Sequence, residues 1–273
     1  MMKNMKKFFD KLGVARFAAP IILILTGILL GGWIYFTPEG LMGKADAIGY
    51  AVCHRISHRS FFLDDRQLPL CARCTGMYLG AFLALMIQLP NKKNGRMPSK
   101  KMLAFFGFLV LLFGVDGLNS YLHLIPNAPS LYEPQNWLRL ATGTGMGIGL
   151  AAVLFPIFNQ SAWQDWRPEP ALQGKKQFLL LIGCSILMNL LVLTEIPILI
   201  YPLALISALT ILVILTMVYT IVWLMITRKE NTLLSIREIS LPVVAGLAIA
   251  LAQIILMDAF RFIWTGTWQG FQL

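Results

Sequence analysis

Charge is what this chain has least of. Only 13% of its 273 residues are charged, where a soluble domain carries about 25%. Acids are scarcer than bases, 13 against 23, and there are three histidines and four cysteines. The shortage of charge excludes an ordinary soluble domain. The sequence also lacks internal repeats and low-complexity tracts, which excludes a repeat architecture. The formal net charge of +10 first suggests a nucleic-acid partner. That reading is rejected, because the basic residues sit in short loops between apolar runs, as the positive-inside rule places them.

What remains is long apolar sequence. Stretches of about 20 apolar residues recur, each long enough to cross a bilayer as a helix. The expected fold is all-α: a polytopic transmembrane bundle of about seven spans, at 17–36, 71–89, 102–125, 137–158, 177–196, 200–226 and 241–263. Sixteen of the 23 basic residues fall in alternate segments: the N-terminal tail (Lys3, Lys6, Lys7, Lys11, Arg16), the loop with Lys92 to Lys101, the loop with Arg167 to Lys176, and the loop with Arg228 to Arg237. This bias predicts a cytoplasmic N-terminus, an outer C-terminus and a multi-pass protein of the plasma membrane. Ala45-Asp46-Ala47 has the pattern of a signal cleavage site. It lies about nine residues past an apolar run longer than a signal h-region, so the first span is expected to be retained.

Residues 1–273 are expected to form one membrane domain, with 37–70 as its long external loop. Ala45, Ile48, Ala51 and Val52 recur at helical spacing and predict a short helix in that loop. Pro69 suits the first turn of a helix, which would start the second span near Leu70 and put Cys71 and Cys74 on one face of its first turn. The glycines at 143, 145, 147 and 149 lie inside the fourth span. They predict close helix packing rather than a phosphate loop. Seven spans divide poorly into equal halves, which weighs against an inverted-repeat transporter.

Function concentrates between Cys53 and Cys74, where three cysteines, two histidines and four arginines stand within 22 residues. Three readings stay open. Cys53, His54, Cys71 and Cys74 form a Cys3His set suited to tetrahedral zinc. Alternatively, Cys71 and Cys74 at the outer start of a helix are poised for thiol–disulfide exchange, in a layout similar to quinone-linked membrane disulfide oxidases. Or the cysteines simply staple the loop. Cys184 reads as an apolar residue of the fifth span.

The orientation also gathers the polar residues at the outer ends of the spans: Asp116, Asn119, His123, Arg139, Thr142, Glu195, Asp258 and Arg261. Intramembrane charges face cavities or one another, so the expectation is one outward-open polar pocket roofed by the cysteine loop. Asp116 and Arg139 are its candidate catalytic residues, Asp116 as base to a zinc-bound water. Asp258 and Arg261 could instead neutralise each other. Asn189 and Gln253 read as interhelical hydrogen-bond partners. Besides the lipid bilayer, the arginines suit an anionic lipid headgroup or a quinone; equally, they satisfy loop carbonyls and Asp64 or Asp65. A transporter or receptor would use the same pocket for binding alone.

Cys53-His54-Arg55, Arg59-Ser60-Phe61-Phe62, and Leu68-Pro69-Leu70-Cys71-Ala72-Arg73-Cys74-Thr75-Gly76 with Tyr78 and Gly80 resemble an uncharacterised family of prokaryotic integral membrane proteins. The likeness extends through Asp116-Gly117 and Asn136-Trp137-Leu138-Arg139-Leu140-Ala141-Thr142-Gly143, and covers a core at 45–150. The chain departs from the family pattern at Ser57, where proline is usual, and at His58. That favours His54 over His58 as a ligand. The resemblance implies a membrane protein and no established activity.

Overall fold

The computed structural model describes residues 14–125 and 129–271. The basic tail with Lys3, Lys6, Lys7 and Lys11 lies outside the described residues. In chain order come α1 (Val14–Phe36), α2 (Gly40–Val52), the hairpin β1 (Ser60–Leu63) and β2 (Arg66–Cys71), then α3 (Ala72–Gln88), β3 (Asn94–Arg96) and α4 (Lys100–Leu122). They are followed by α5 (Asn136–Ala162), β4 (Arg167–Pro170), α6 (Gly174–Leu193), α7 (Pro197–Thr227) and α8 (Ile236–Thr265). This is the all-α membrane bundle that the hydropathy predicts. Six of the helices are long and apolar enough to cross a bilayer. The remaining expected span is α3, at 17 residues about 25 Å long, a little under the hydrocarbon thickness.

The bundle is built around α3 and α5, which run parallel. Glycines bring the two backbones together. A Cβ on Gly76 would stand 2.2 Å from the Leu140 carbonyl oxygen, and one on Gly147 1.8 Å from that of Met77. Gly80 and Gly143 meet Thr144 and Arg73 in the same way. The glycine run is thus a packing seam, as expected. Gln88 extends the seam with an Nε2 hydrogen bond to the Ala151 carbonyl at 3.2 Å. The outer helices bury far less of themselves: 11% of the α1 window and 17% of those in α4 and α6, against 72% in α5. Ile24, Ile28, Leu111, Leu118 and Leu179 are more than half exposed, a surface suited to lipid rather than water.

The two ends differ. At one, β3 pairs in parallel with β4, Asn231 and Leu233 bond Ser161 and Ala162, and Lys93 meets Asp165 at 2.7 Å. The basic loops after α3, α5 and α7 therefore share this end, the arrangement that the positive-inside rule requires of them. At the other end lie α2, the hairpin and the C-terminal tail.

Residues 37–71 are more ordered than an external loop. The predicted short helix exists as α2, but Met42, Ala45, Ala47, Ile48 and Tyr50 are buried, so it is wedged into the bundle rather than laid on its surface. Pro69 is not in a helix. It lies in β2, where Ser60 pairs with Cys71 and Phe62 with Gln67; the spare residues bulge out, a place where a strand tolerates proline. The helix begins at Ala72, and Cys71 becomes its N-cap. Asp64, at φ +51°, makes the turn between the strands.

Candidate metal centre and its arginine surround

Three elements deliver the three cysteines. Cys53 caps α2, with its N–H on the Gly49 carbonyl at 2.8 Å. Gly49 lets α2 lie directly on β2, since a Cβ there would stand 2.0 Å from the Pro69 carbonyl oxygen. That contact sets Cys53 beside Cys71 at the end of β2. Cys74 follows in the first turn of α3. Their sulfurs all lie within 4.8 Å of one another. Cys53 and Cys71 are buried and Cys74 is partly so, and all three are free thiols.

The backbone prepares a sulfur site. Arg55 adopts φ +51°, which turns its N–H onto Cys53 Sγ at 3.4 Å. The N–H of Cys71 reaches the same sulfur at 3.3 Å. Two amide donors on one sulfur favour negative charge there. The three thiols lie close enough to share protons. Cys71 is held well below its ordinary value by hydrogen bonds from Cys53 and Cys74. Cys53, bonded to Cys71, is pushed up to about 12.

His54 is half-buried and its ring is not among the mutually close ligand atoms. Burial holds its imidazole below the usual value; Cys71 opposes the shift and Arg59 adds to it. The ring is thus in the neutral form that a metal ligand requires. His58 is exposed and outside the sulfur cluster. Cys184 stands alone on α6.

Asp116 and Arg139 lie beside the centre in a separate network. Asp116, 1% exposed, is ion-paired with Arg73 through Oδ2, and Arg73 Nε also donates to Oδ2 at 3.1 Å. The hydroxyl of Tyr132 donates to Oδ1 at 2.9 Å, and that of Thr142 to Oδ2 at 3.3 Å. Burial and this bond to Asp116 push the Tyr132 phenol up to about 12. Arg73 also reaches Ser120 Oγ at 3.0 Å, and Arg59 donates to the Ser120 carbonyl at 3.1 Å. Arg139 donates to Asn136 at 2.8 Å, and Asn136 in turn reaches the carbonyls flanking Arg59. Among the described residues Arg73 alone pairs with the Asp116 carboxylate; Arg139 stands near enough to feel its charge, and Arg59 near enough to feel that of Arg73. The Nε atoms of Arg59 and Arg139 are buried and unpartnered. Burial, then the charge of Arg73, holds the Arg59 guanidinium below its ordinary value.

The single polar pocket expected from the sequence is divided. Asp116, Asn119, Arg139 and Thr142 do converge. His123 is exposed, and Glu195 is an exposed acceptor for the Phe62 N–H at 3.1 Å. Asp258 lies elsewhere, and Arg261 does not pair with it. Arg261 instead donates to the Tyr50 and Cys53 carbonyls at 2.7 and 2.6 Å and to that of His54 at 3.2 Å. These include carbonyls at the end of α2, which have no partner within their helix. Nor do the loop arginines pair with Asp64 or Asp65: Arg55 and Arg66 both grip Asp46, at 2.9 and 2.7 Å. Asn189 and Gln253 make the expected interhelical bonds, to Thr144 at 2.7 Å and Tyr219 at 2.5 Å.

The C-terminal tail was invisible as a site element. Gly266 ends α8 at φ +66° and returns the chain over the cysteine loop. There the Trp268 carbonyl accepts from Arg55 at 3.2 Å and the Phe271 N–H binds the His54 carbonyl at 3.0 Å. Gly270 allows the crossing, since a Cβ there would stand 1.7 Å from the Arg55 carbonyl oxygen.

Residues 53–153, which hold the three cysteines, Asp116 and Arg139, match a family described as predicted membrane protein (DUF2085). An uncharacterized protein of Methanothermobacter thermautotrophicus is 34% identical over 104 residues, covering 37% of this chain and 83% of that protein. Another, of Methanocaldococcus jannaschii, is 28% identical over 123 residues, 44% of this chain and 72% of that protein. No solved structure matches the chain.

Proposed function

The chain belongs to this family of predicted membrane proteins, DUF2085, and on that footing we propose that it is a zinc-binding membrane protein. Cys53, Cys71 and Cys74 hold the ion, and His54 supplies the fourth donor. The observation that carries the reading is the approach of three free sulfurs to within 4.8 Å. Zinc at about 2.3 Å from each sulfur needs them about 3.8 Å apart, a small adjustment. The two amide donors on Cys53 Sγ suit a thiolate, and the neutral state of His54 suits a ligand.

Charge supports the same assignment. Three thiolates and one zinc carry a net charge of −1. Arg59, Arg73 and Arg139, with only Asp116 among them, offer compensating positive charge. In this reading Asp116 fixes Arg73, and Arg139 faces whatever enters beside the centre. An anionic headgroup or a carboxylate is the ligand class those guanidiniums suit. When bound, zinc with an exchangeable position supplies a Lewis acid and an acidified water. The site faces the outside of the plasma membrane, with the basic-loop end in the cytoplasm.

One observation favours a second reading. Cys71 is the N-cap of α3 with its thiol held well below the ordinary value, and Cys74 is one turn on. That is the layout of a reactive pair, and Cys71 and Cys74 would cycle between dithiol and disulfide with a quinone as oxidant.

Metal content by mass spectrometry on detergent-purified protein separates the two. About one zinc per chain, lost in Cys71→Ser, is the expected result. No metal, with Cys71 and Cys74 titrating as a reducible pair, overturns the zinc reading in favour of the redox one.

A further inference from the structure

Asp258 is left over from every network described above. It sits on α8 at 4% exposed, and neither of its carboxylate oxygens has a hydrogen-bond partner. Beside it stands the indole Nε1 of Trp33 on α1, near enough to interact with the carboxylate but outside hydrogen-bond geometry. Both residues line a cavity of about 480 Å³ between α1 and α8. Apart from Thr37 its other walls are apolar, and Phe36, Phe262 and Trp268 are among them.

The nearby cations do not serve this carboxylate. Arg261, one turn along α8, spends its guanidinium on the Tyr50, Cys53 and His54 carbonyls. It is also stacked between the rings of Tyr50 and Phe271, at 3.9 and 4.4 Å. Lys44 of α2 bonds to Thr37 of the cavity wall, and its three donors go to the Ile34 carbonyl and to the carbonyl and hydroxyl of Thr37. Asp258 therefore faces a largely apolar cavity without an ion-pair partner, with Arg261 acting on it only from a distance. Burying a carboxylate is costly unless it is paired, and ionisable residues inside a membrane mark functional sites. Aromatic faces beside such a carboxylate are suited to a cation.

We propose that this cavity binds a lipophilic amine, with its ammonium on Asp258 among the rings of Trp33, Phe36 and Phe262 and its apolar body between α1 and α8. The site is distinct from the cysteine centre, although Trp33 and Trp268 pack in the same core as Cys53 and Cys71. It does not depend on what the cysteines bind.

The test uses the full chain in phosphatidylcholine nanodiscs and equilibrium dialysis of radiolabelled 4-phenylbutylamine, with 4-phenylbutanol as the neutral counterpart and empty discs as the blank. The amine is expected to bind at least about tenfold more tightly than the alcohol, the scale set by pairing a buried charge. Asp258→Asn is expected to abolish that preference. Gly32 lines the cavity and a Cβ there meets nothing within 4 Å. Gly32→Leu fills the space without touching the carboxylate, and should weaken both probes. Equal binding of amine and alcohol overturns the proposal, as does binding no greater than to empty discs. A preference that survives Asp258→Asn, or binding that ignores Gly32→Leu, overturns it as well. If Asp258→Asn does not fold, the wild-type comparison and Gly32→Leu decide.

Discussion

The backbone N–H of Cys71 points at the sulfur of Cys53, 3.3 Å away. Cys53 and Cys71, 18 residues apart in the chain, are therefore joined through the backbone itself. A preformed site loses less entropy on binding than a flexible loop would. The three cysteines should then act as a unit while His54 tunes affinity. Cys53→Ser and Cys74→Ser should each empty the site. His54→Ala should keep about one zinc per chain but lose it to a competing chelator at roughly 10–100-fold lower chelator concentration, the scale seen when a supporting metal contact is removed. Retention of full affinity in His54→Ala would remove it from the ligand set.

The seam between α3 and α5 makes a stability prediction. A Cβ at Gly147 would stand 1.8 Å from the Met77 carbonyl oxygen, a backbone atom that cannot swing aside. Gly147→Ala should destabilise by at least about 1–3 kcal/mol, the range for overpacking a tight interface. Gly183 on α6 meets nothing within 4 Å, and Gly183→Ala should be neutral or stabilising by up to about 1 kcal/mol from helix propensity. Thermal unfolding of both in one detergent checks the contrast. Equal effects would mean that the two helices are not in close contact.

The bundle was legible because hydropathy reads burial in lipid directly, and the glycine seam because four-residue spacing marks one helix face. The gathering of the cysteines was legible as a motif, but the way they gather was not. The sequence suggested Pro69 as a helix start; cross-strand pairing of Ser60 with Cys71 and Phe62 with Gln67 outweighed that local preference and left the proline in a bulge. Asp258 and Arg261 share a face at i and i+3, yet three carbonyls of α2 and the residues after it take the guanidinium, which the rings of Tyr50 and Phe271 also hold. Tyr132 and the tail at Trp268 to Phe271 carry no local signal. Their partners are 16 and more than 200 residues away in sequence, and only the tertiary fold brings them together.

Arg73 and Asp116 form a pair of which the acid is almost wholly buried. Breaking such a pair leaves one charge without compensation, at about 3–5 kcal/mol. Asp116→Asn should therefore be the more damaging single change, and Tyr132→Phe, which removes one hydrogen bond to the same carboxylate, should cost about 1 kcal/mol. The double variant Arg73→Met with Asp116→Leu removes both charges and should recover much of the stability. It should also separate roles. If Asp116 serves only to fix Arg73, zinc content in the double variant stays near that of the wild type. If Asp116 belongs to the metal centre itself, zinc is lost even though the fold recovers.

Orientation can be tested without knowing the ligand. The loops after α3, α5 and α7 meet at one end of the bundle, joined by the strand pair β3 and β4 and by Lys93 with Asp165, and together with the first turns of the helices that follow them they hold most of the described basic residues. Positive charge is retained on the cytoplasmic side, so the cysteine centre is expected outside. Ser57 and Lys92 are exposed at opposite ends. In intact cells a membrane-impermeant maleimide should label Ser57→Cys in a Cys184→Ser background. Lys92→Cys in the same background should be labelled only after permeabilisation. Cys53 and Cys71 are buried and should stay silent in both. The reverse pattern would place the centre in the cytoplasm, where reducing conditions favour free thiols; the redox reading would then lose its oxidising compartment while the zinc reading would stand.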